Sequence, residues 1–240
     1  MTTATNDDLA RWRATLPDEW TRGVDQLTIE RAYAAYQSPA RHYHTWNHVI
    51  ACTEQLRTVP CERPRVIFLA LLFHDAVYVA GRSDNEARSA QLAREVLRAN
   101  KSLTTDELTA IEGLILATKD HYGRIGVAGA DEAALLDIDL SILAAPREEY
   151  ERYARRIHDE WVPAAASDGE FRIGRVVFLR RMLAEPHVFL TETAQRRWDS
   201  AARANMAWEL ERLARQQSRV ERIASAVRRL ITVLRPGSRT

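Results

Sequence analysis

Cysteine is almost missing from this chain: Cys52 and Cys61 are its only two among 240 residues. That excludes a disulfide framework, and without a CxxC pair there is no thiolate zinc motif. A reducing cytoplasm is the expected compartment. Glycine and proline are scarce and scattered, at 9 and 8 residues, and no internal repeat is visible. Charge of one sign is lacking too. The formal net charge of +1 demands neither nucleic acid nor an acidic membrane as partner. Long apolar runs are absent: the longest, Val66 to Phe73, falls far short of the roughly 20 residues that span a bilayer. The start, "MTTATNDDLARWRATL", has no basic segment leading into an apolar one, so no signal peptide is expected.

What is present is an ordinary globular composition, 46% apolar and 28% charged. Leu, Ala, Arg and Glu dominate, and all favour helix. Apolar residues recur at three- and four-residue steps, as in Leu108, Ile111, Leu114 and Ile115, and no stretch alternates as a strand. The pattern predicts an all-α protein of roughly eight to ten helices. Breaks fall at Ser38-Pro39, Val59 to Pro64, Gly81 to Asn85, Gly123 to Gly129, Ala145-Pro146, Pro163 to Gly169 and Glu185-Pro186. None is long enough for an interdomain linker. The expectation is one domain over 1–240, with a core over about 24–185 and C-terminal helices over about 190–235.

The C-terminal part, Thr191 to Leu234, is rich in Arg and Ala, with an apolar stripe through Leu210, Leu213, Val220, Ile223, Val227, Leu230 and Val233. Its arginines are interleaved with Glu209, Glu211 and Glu221, which reads as a solvated helix face rather than a nucleic-acid footprint.

Three of the seven histidines fall within "RHYHTWNHVI", at 42, 44 and 48. If residues 41–56 are helical, His44 and His48 share a face one turn apart, and His42 lies off it. The apolar run "FLALLFHDAVY" ends in His74-Asp75. Adjacent positions on a helix point about 100° apart, so both reach one ion only if it sits beside the helix between them. Imidazole with carboxylate suits zinc, manganese, iron or nickel. The set is open and wants a further ligand. "ALLDIDLSIL" offers Asp137 and Asp139 in an apolar context, where a buried carboxylate needs a partner. They lie about 200° apart on a helix, so they do not serve equally. Asp139 lies closest to the apolar run, between Ile138 and Leu140, and Asp137 is its rival, with a cap or surface role as its other reading.

The ordered pattern His48, His74-Asp75, Asp139 resembles the signature of the HD superfamily of metal-dependent phosphohydrolases. The wider wording, "YHTWNHV", "LLFHDAVY", "SDNEARSAQLA", "DIDLSIL", "FRIGRVVFLRRML" and "AARANMAWEL", resembles a bacterial group of predicted HD phosphohydrolases over roughly residues 10–215. The resemblance implies a helical domain with a divalent ion (Mn, Fe, Zn, Ni, Co or Mg) in a cleft, held by His48, His74, Asp75 and Asp139. Asp75 would also orient the attacking water.

The spacing from His44 to His48 resembles the Tyr-His-Asn-x-x-His-Ala motif of cyclic-nucleotide phosphodiesterases, distant members of the superfamily, whose first histidine donates a proton. Here Thr45 stands in place of the Asn. His44 is thus a candidate acid, and it needs a carboxylate nearby, or an outward position, to stay protonated beside a metal. Arg41, Lys119 and His121 are candidate contacts to substrate phosphate. Against the last two stands a simpler role: a solvated lysine, and a histidine at the C-terminal end of a helix dipole. Glu86 is either a carboxylate near the cleft or a first-turn acid. The second dipeptide, His158-Asp159, reads as a surface coincidence.

The expected substrate is a small phosphate ester or nucleotide. Neither a membrane nor a nucleic acid is expected as partner, and self-association is left open. Two other functions compete: an HD-type di-iron oxygenase, which needs extra ligands that His44 and His121 would have to supply, and a catalytically idle regulator that binds metal or nucleotide.

Overall fold

The computed structural model describes residues 6–119 and 129–234. Eleven α-helices and one 3₁₀ turn make up its regular structure, with no strand among the described residues. In chain order the helices are α1 (Asn6–Ala14), α2 (Asp18–Thr21), α3 (Gln26–Ala35), α4 (Trp46–Leu56), α5 (Pro64–Phe73), α6 (Asn85–Leu97), α7 (Thr105–Ala117), α8 (Ala130–Asp139), α9 (Arg147–Trp161), α10 (Asp168–Ala184) and α11 (Glu192–Leu234), and the 3₁₀ turn (Leu140–Ala144) follows α8 directly. The all-α expectation holds. The count exceeds the expected eight to ten partly because α2 is a single turn after Pro17, too short to show a period.

The longest apolar run explains the architecture. Pro64 starts α5, where its missing N–H costs nothing. From Val66 to Phe73 no residue is more than 2% exposed. A helix apolar on every side must be covered on every side. α5 is accordingly the central rod, with α2, α3, α4, α6, α7 and α8 packed on it. All buried apolar residues join one continuous core.

Helix starts follow local chemistry. Thr104 and Glu107 form a reciprocal capping box at α7, and Ser167 and Glu170 do so at α10. At the far end, α10 and α11 pack together, and α11 covers the 3₁₀ turn. Arg175 of α10 donates from Nε and Nη2 to both oxygens of Glu209 on α11 (3.0 and 2.9 Å), and Tyr150 of α9 donates to the same carboxylate at 2.5 Å. Glu209 is therefore not on a solvated face: it is 2% exposed and locks α9, α10 and α11 together. Asn205 donates to Leu143 O and Ala145 O, each at 2.9 Å, fixing the end of the 3₁₀ turn. The side chains of 217–234, which include Glu221 and the stripe from Val220 to Val233, lie outside those described.

Candidate metal centre

The histidine segment departs from the expected helix over 41–56. Helix α4 begins only at Trp46, with Thr45 extended before it. The cause is Glu160, buried near the end of α9. Its Oε1 accepts the backbone N–H groups of His42, Tyr43 and His44, each at 2.8 Å. Three successive N–H groups wrapped around one carboxylate oxygen form an anion-binding nest, a geometry that an α-helix cannot share. His44 thus reaches the site from a loop, and His48 from the first turn of α4. Their rings are 6.0 Å apart.

His74 caps the C-terminal end of α5, and Asp75 follows in the turn. His74 Nδ1 donates to Leu71 O at 2.9 Å, which leaves Nε2 with its lone pair turned to the site. Asp139 is the last residue of α8. These three elements bring four side chains together. His48 Nε2 is 3.1 Å from His74 Nε2 and 3.0 Å from Asp139 Oδ1. His74 Nε2 is 3.0 Å from Asp75 Oδ2 and 3.5 Å from Asp139 Oδ1. Asp75 Oδ2 is 3.7 Å from His48 Nε2. Ligands about 2.1 Å from one ion stand roughly 3.0–3.5 Å apart when adjacent. His48, His74 and Asp139 lie mutually within that kind of reach, all ligand atoms within 4.8 Å, and Asp75 lies against both histidines.

The electrostatics fit a cation. Burial opposes a charge on His74, but Asp75 and Asp139 outweigh it and raise its pKa well above the usual histidine value. Burial likewise opposes ionisation of Asp75, yet His74 and His44 hold its carboxyl well below the usual carboxylate range. Two half-buried carboxylates converge on two imidazole nitrogens, and the pocket calls for positive charge between them. A divalent ion with mixed nitrogen and oxygen ligands supplies it.

Beside the cluster, His44 Nδ1 lies 2.7 Å from Glu160 Oε2. Its ring stacks on Tyr78, centroids 4.1 Å apart. Burial lowers the pKa of His44, but Asp75, Glu160 and Asp139 together outweigh that and raise it. Glu160 supplies the carboxylate that a protonated His44 requires. Tyr78 is placed from α6: Ser89 bonds both the N–H and the carbonyl of Val77, and Asn85 does the same for Val79. Both belong to the segment "SDNEARSAQLA", and Glu86 between them is a half-buried first-turn acid.

Other expected residues fall elsewhere. Arg41, expected at an anion, is turned inward and 7% exposed. It donates to His44 O (3.1 Å), Asp75 O (2.6 Å) and Ala76 O (2.8 Å), tying the histidine loop to the His74-Asp75 turn. Lys119 is exposed just past α7, and His121 lies outside the described residues. Asp137 is buried rather than on the surface, and it accepts the N–H groups of Leu190 (2.6 Å) and Thr191 (2.7 Å) at the entry to α11. Its capping role is as expected. His42 is exposed, outside the cluster. His158 pairs with Asp159 and Asp168 at the surface.

Glu160, which holds His44 at the candidate site, does not stand out in the sequence as a motif residue. Its signal was in the register of α9: Tyr150, Tyr153, Ala154, Ile157 and Glu160 recur at helical steps, so a carboxylate continues an apolar stripe.

Fold and cluster together define a helical protein with a candidate His/Asp metal site. No family model matches the chain, and no curated protein matches it. Among solved structures it is similar to the phosphodiesterase domain of Salpingoeca rosetta rhodopsin phosphodiesterase, at 14% identity and a TM-score of 0.48, over 95% of this chain and 90% of that one. A likeness of that degree establishes neither family nor activity.

Proposed function

We propose that this protein is a metal-dependent phosphohydrolase that cleaves phosphate esters, nucleotides among them. One observation carries the reading: a candidate ligand cluster of His48, His74 and Asp139, with Asp75 against both histidines, lies beside a histidine whose protonated form is stabilised by a buried carboxylate. His48, His74, Asp75 and Asp139 would hold the ion, which when bound polarises a phosphoryl oxygen and lowers the pKa of water.

The chain's own residues supply the rest. Water attacks phosphorus, the bond from phosphorus to the ester oxygen breaks, and the leaving alkoxide needs a proton. Nδ1 of His44 is engaged by Glu160, so Nε2 is the ring position that gives it. Asp75, at the edge of the cluster, orients the attacking water and takes up its proton.

The test is metal analysis of the purified protein, followed by a phosphatase screen across nucleotides and simple esters with that metal. His48→Ala should lose the metal and all turnover. His44→Ala should keep the metal and lose about 10²- to 10⁴-fold in turnover of alkyl esters, with a smaller loss for a 4-nitrophenyl ester, whose leaving group barely needs the proton. Loss of metal from His44→Ala would make His44 a ligand instead. Phosphate release from no ester by the metal-loaded protein would overturn the reading.

A further inference from the structure

A cleft of about 480 Å³ opens beside the ligand cluster, with His48 and Asp139 in its lining. That size suits a small organic molecule. Whatever fills it lies against the metal ligands. One wall is α4, which contributes Gln55, and the facing wall is α9, which contributes Arg152 and Arg156.

Both walls carry groups without partners. Arg152 and Arg156 are exposed, one turn apart, and among the described residues neither forms a hydrogen bond or ion pair, whereas their neighbour Arg155 lies 3.9 Å from Glu151. Oε1 of Gln55 is buried with no donor. Glu149 also lines the cleft, so the α9 wall carries one acid against two arginines and remains net cationic. The orientation of this wall is set by the molecule itself. Tyr153, on the same side of α9, packs on Tyr43 with ring centroids 4.7 Å apart, and Glu160 further along holds His44.

We propose that Arg152 and Arg156 bind a second anionic group on the substrate, beyond the phosphoryl group at the ligand cluster. The proposal rests on the phosphohydrolase reading and narrows it to phosphate esters that carry another phosphate or a carboxylate. Two guanidinium forks at i and i+4 can each form paired hydrogen bonds to such a group.

The test uses phosphonates, whose carbon–phosphorus bond is not an ester, so binding is read without turnover. A series of carboxyalkylphosphonates of increasing chain length is compared by calorimetry with the matching alkylphosphonates, on the full chain carrying its metal. At the chain length that spans the cleft, the carboxylate should tighten binding at least about tenfold, the worth of one hydrogen bond to a charged group. Arg152→Gln and Arg156→Gln should each weaken that preference, and the double variant should abolish it. Arg155→Gln, which removes the same charge one position away, should leave it intact. A preference absent at every length, or surviving in the double variant, would overturn the proposal. Failure of the hydrolase reading looks different: the carboxylate preference stays while no ester releases phosphate.

Discussion

Replacing Glu160 by Gln tests the proposed proton donor, His44, apart from both the candidate metal cluster and the loop. In the native site one oxygen of Glu160 gathers three backbone N–H groups, and the other meets His44 Nδ1 at 2.7 Å. The amide oxygen of Gln can keep the first task, so the loop should stay folded. Its NH₂ group would face Nδ1 as a donor, which favours the neutral ring and removes the charge-assisted bond to the imidazolium. A hydrogen bond to a charged group contributes about 1.5–3 kcal/mol, so the imidazolium should be about 10- to 100-fold less populated at a pH where it is the minor form. The sign follows from the raised pKa of His44. At low pH both proteins carry the protonated ring, and their rates should be similar. As pH rises, Glu160→Gln should lose turnover first, its descending limb displaced toward acid by that factor in rate. The assay is a pH–rate profile on an alkyl phosphate with metal content and thermal melting measured alongside. Superimposed profiles in a folded, metal-loaded variant would refute the assignment of His44 as acid held by Glu160. A shift of equal size on a 4-nitrophenyl ester would refute proton donation to the leaving group.

Two other substitutions test residues placed away from the chemistry. Asp137→Ala leaves the N–H groups of Leu190 and Thr191 without their carboxylate, so urea unfolding should show a loss of about 2–5 kcal/mol, with metal content retained in the folded fraction. An unchanged midpoint would mean that the entry to α11 is held by something else. Arg41→Met removes three bonds to carbonyl oxygens, so stability should fall by about 2–4 kcal/mol with KM unchanged. A rise in KM without loss of stability would return Arg41 to the role of substrate contact.

The metal cluster was legible because its residue types are expensive in their settings. A histidine closing the apolar run of α5, and an aspartate between Ile138 and Leu140, need a buried partner, and a shared ion is one that serves both. The rotation between Asp137 and Asp139 also read correctly, since two positions on a helix face nearly opposite ways: one reaches the histidines and the other the start of α11. What could not be read was any role set by a distant partner. Arg41 sits beside the motif in sequence and looked available to an anion, but its two terminal nitrogens donate to carbonyls that only folding brings near. His44 looked helical because the apolar period runs on through Trp46, Val49 and Ile50. The nest around Glu160 overrides that local preference from more than a hundred residues away.

The two halves of the site rest on different parts of the fold. The ligands come from α4, α5 and α8, which meet in the apolar centre, so their spacing is fixed by close packing. The acid is set from outside that centre by α9, through Glu160, and α9 is held in turn by the buried Tyr150–Glu209–Arg175 network against α10 and α11. Packing fixes where an ion can sit. A polar network fixes the ring of His44. The conserved-volume demands of the first and the hydrogen-bond demands of the second fall on different residues, so metal binding and proton delivery can be tuned separately. The arginines of the cleft belong to the second half: Arg152, Arg156 and Glu160 all stand on α9, so in the proposed reaction a displacement of α9 would move the proposed anion site together with the carboxylate that holds His44.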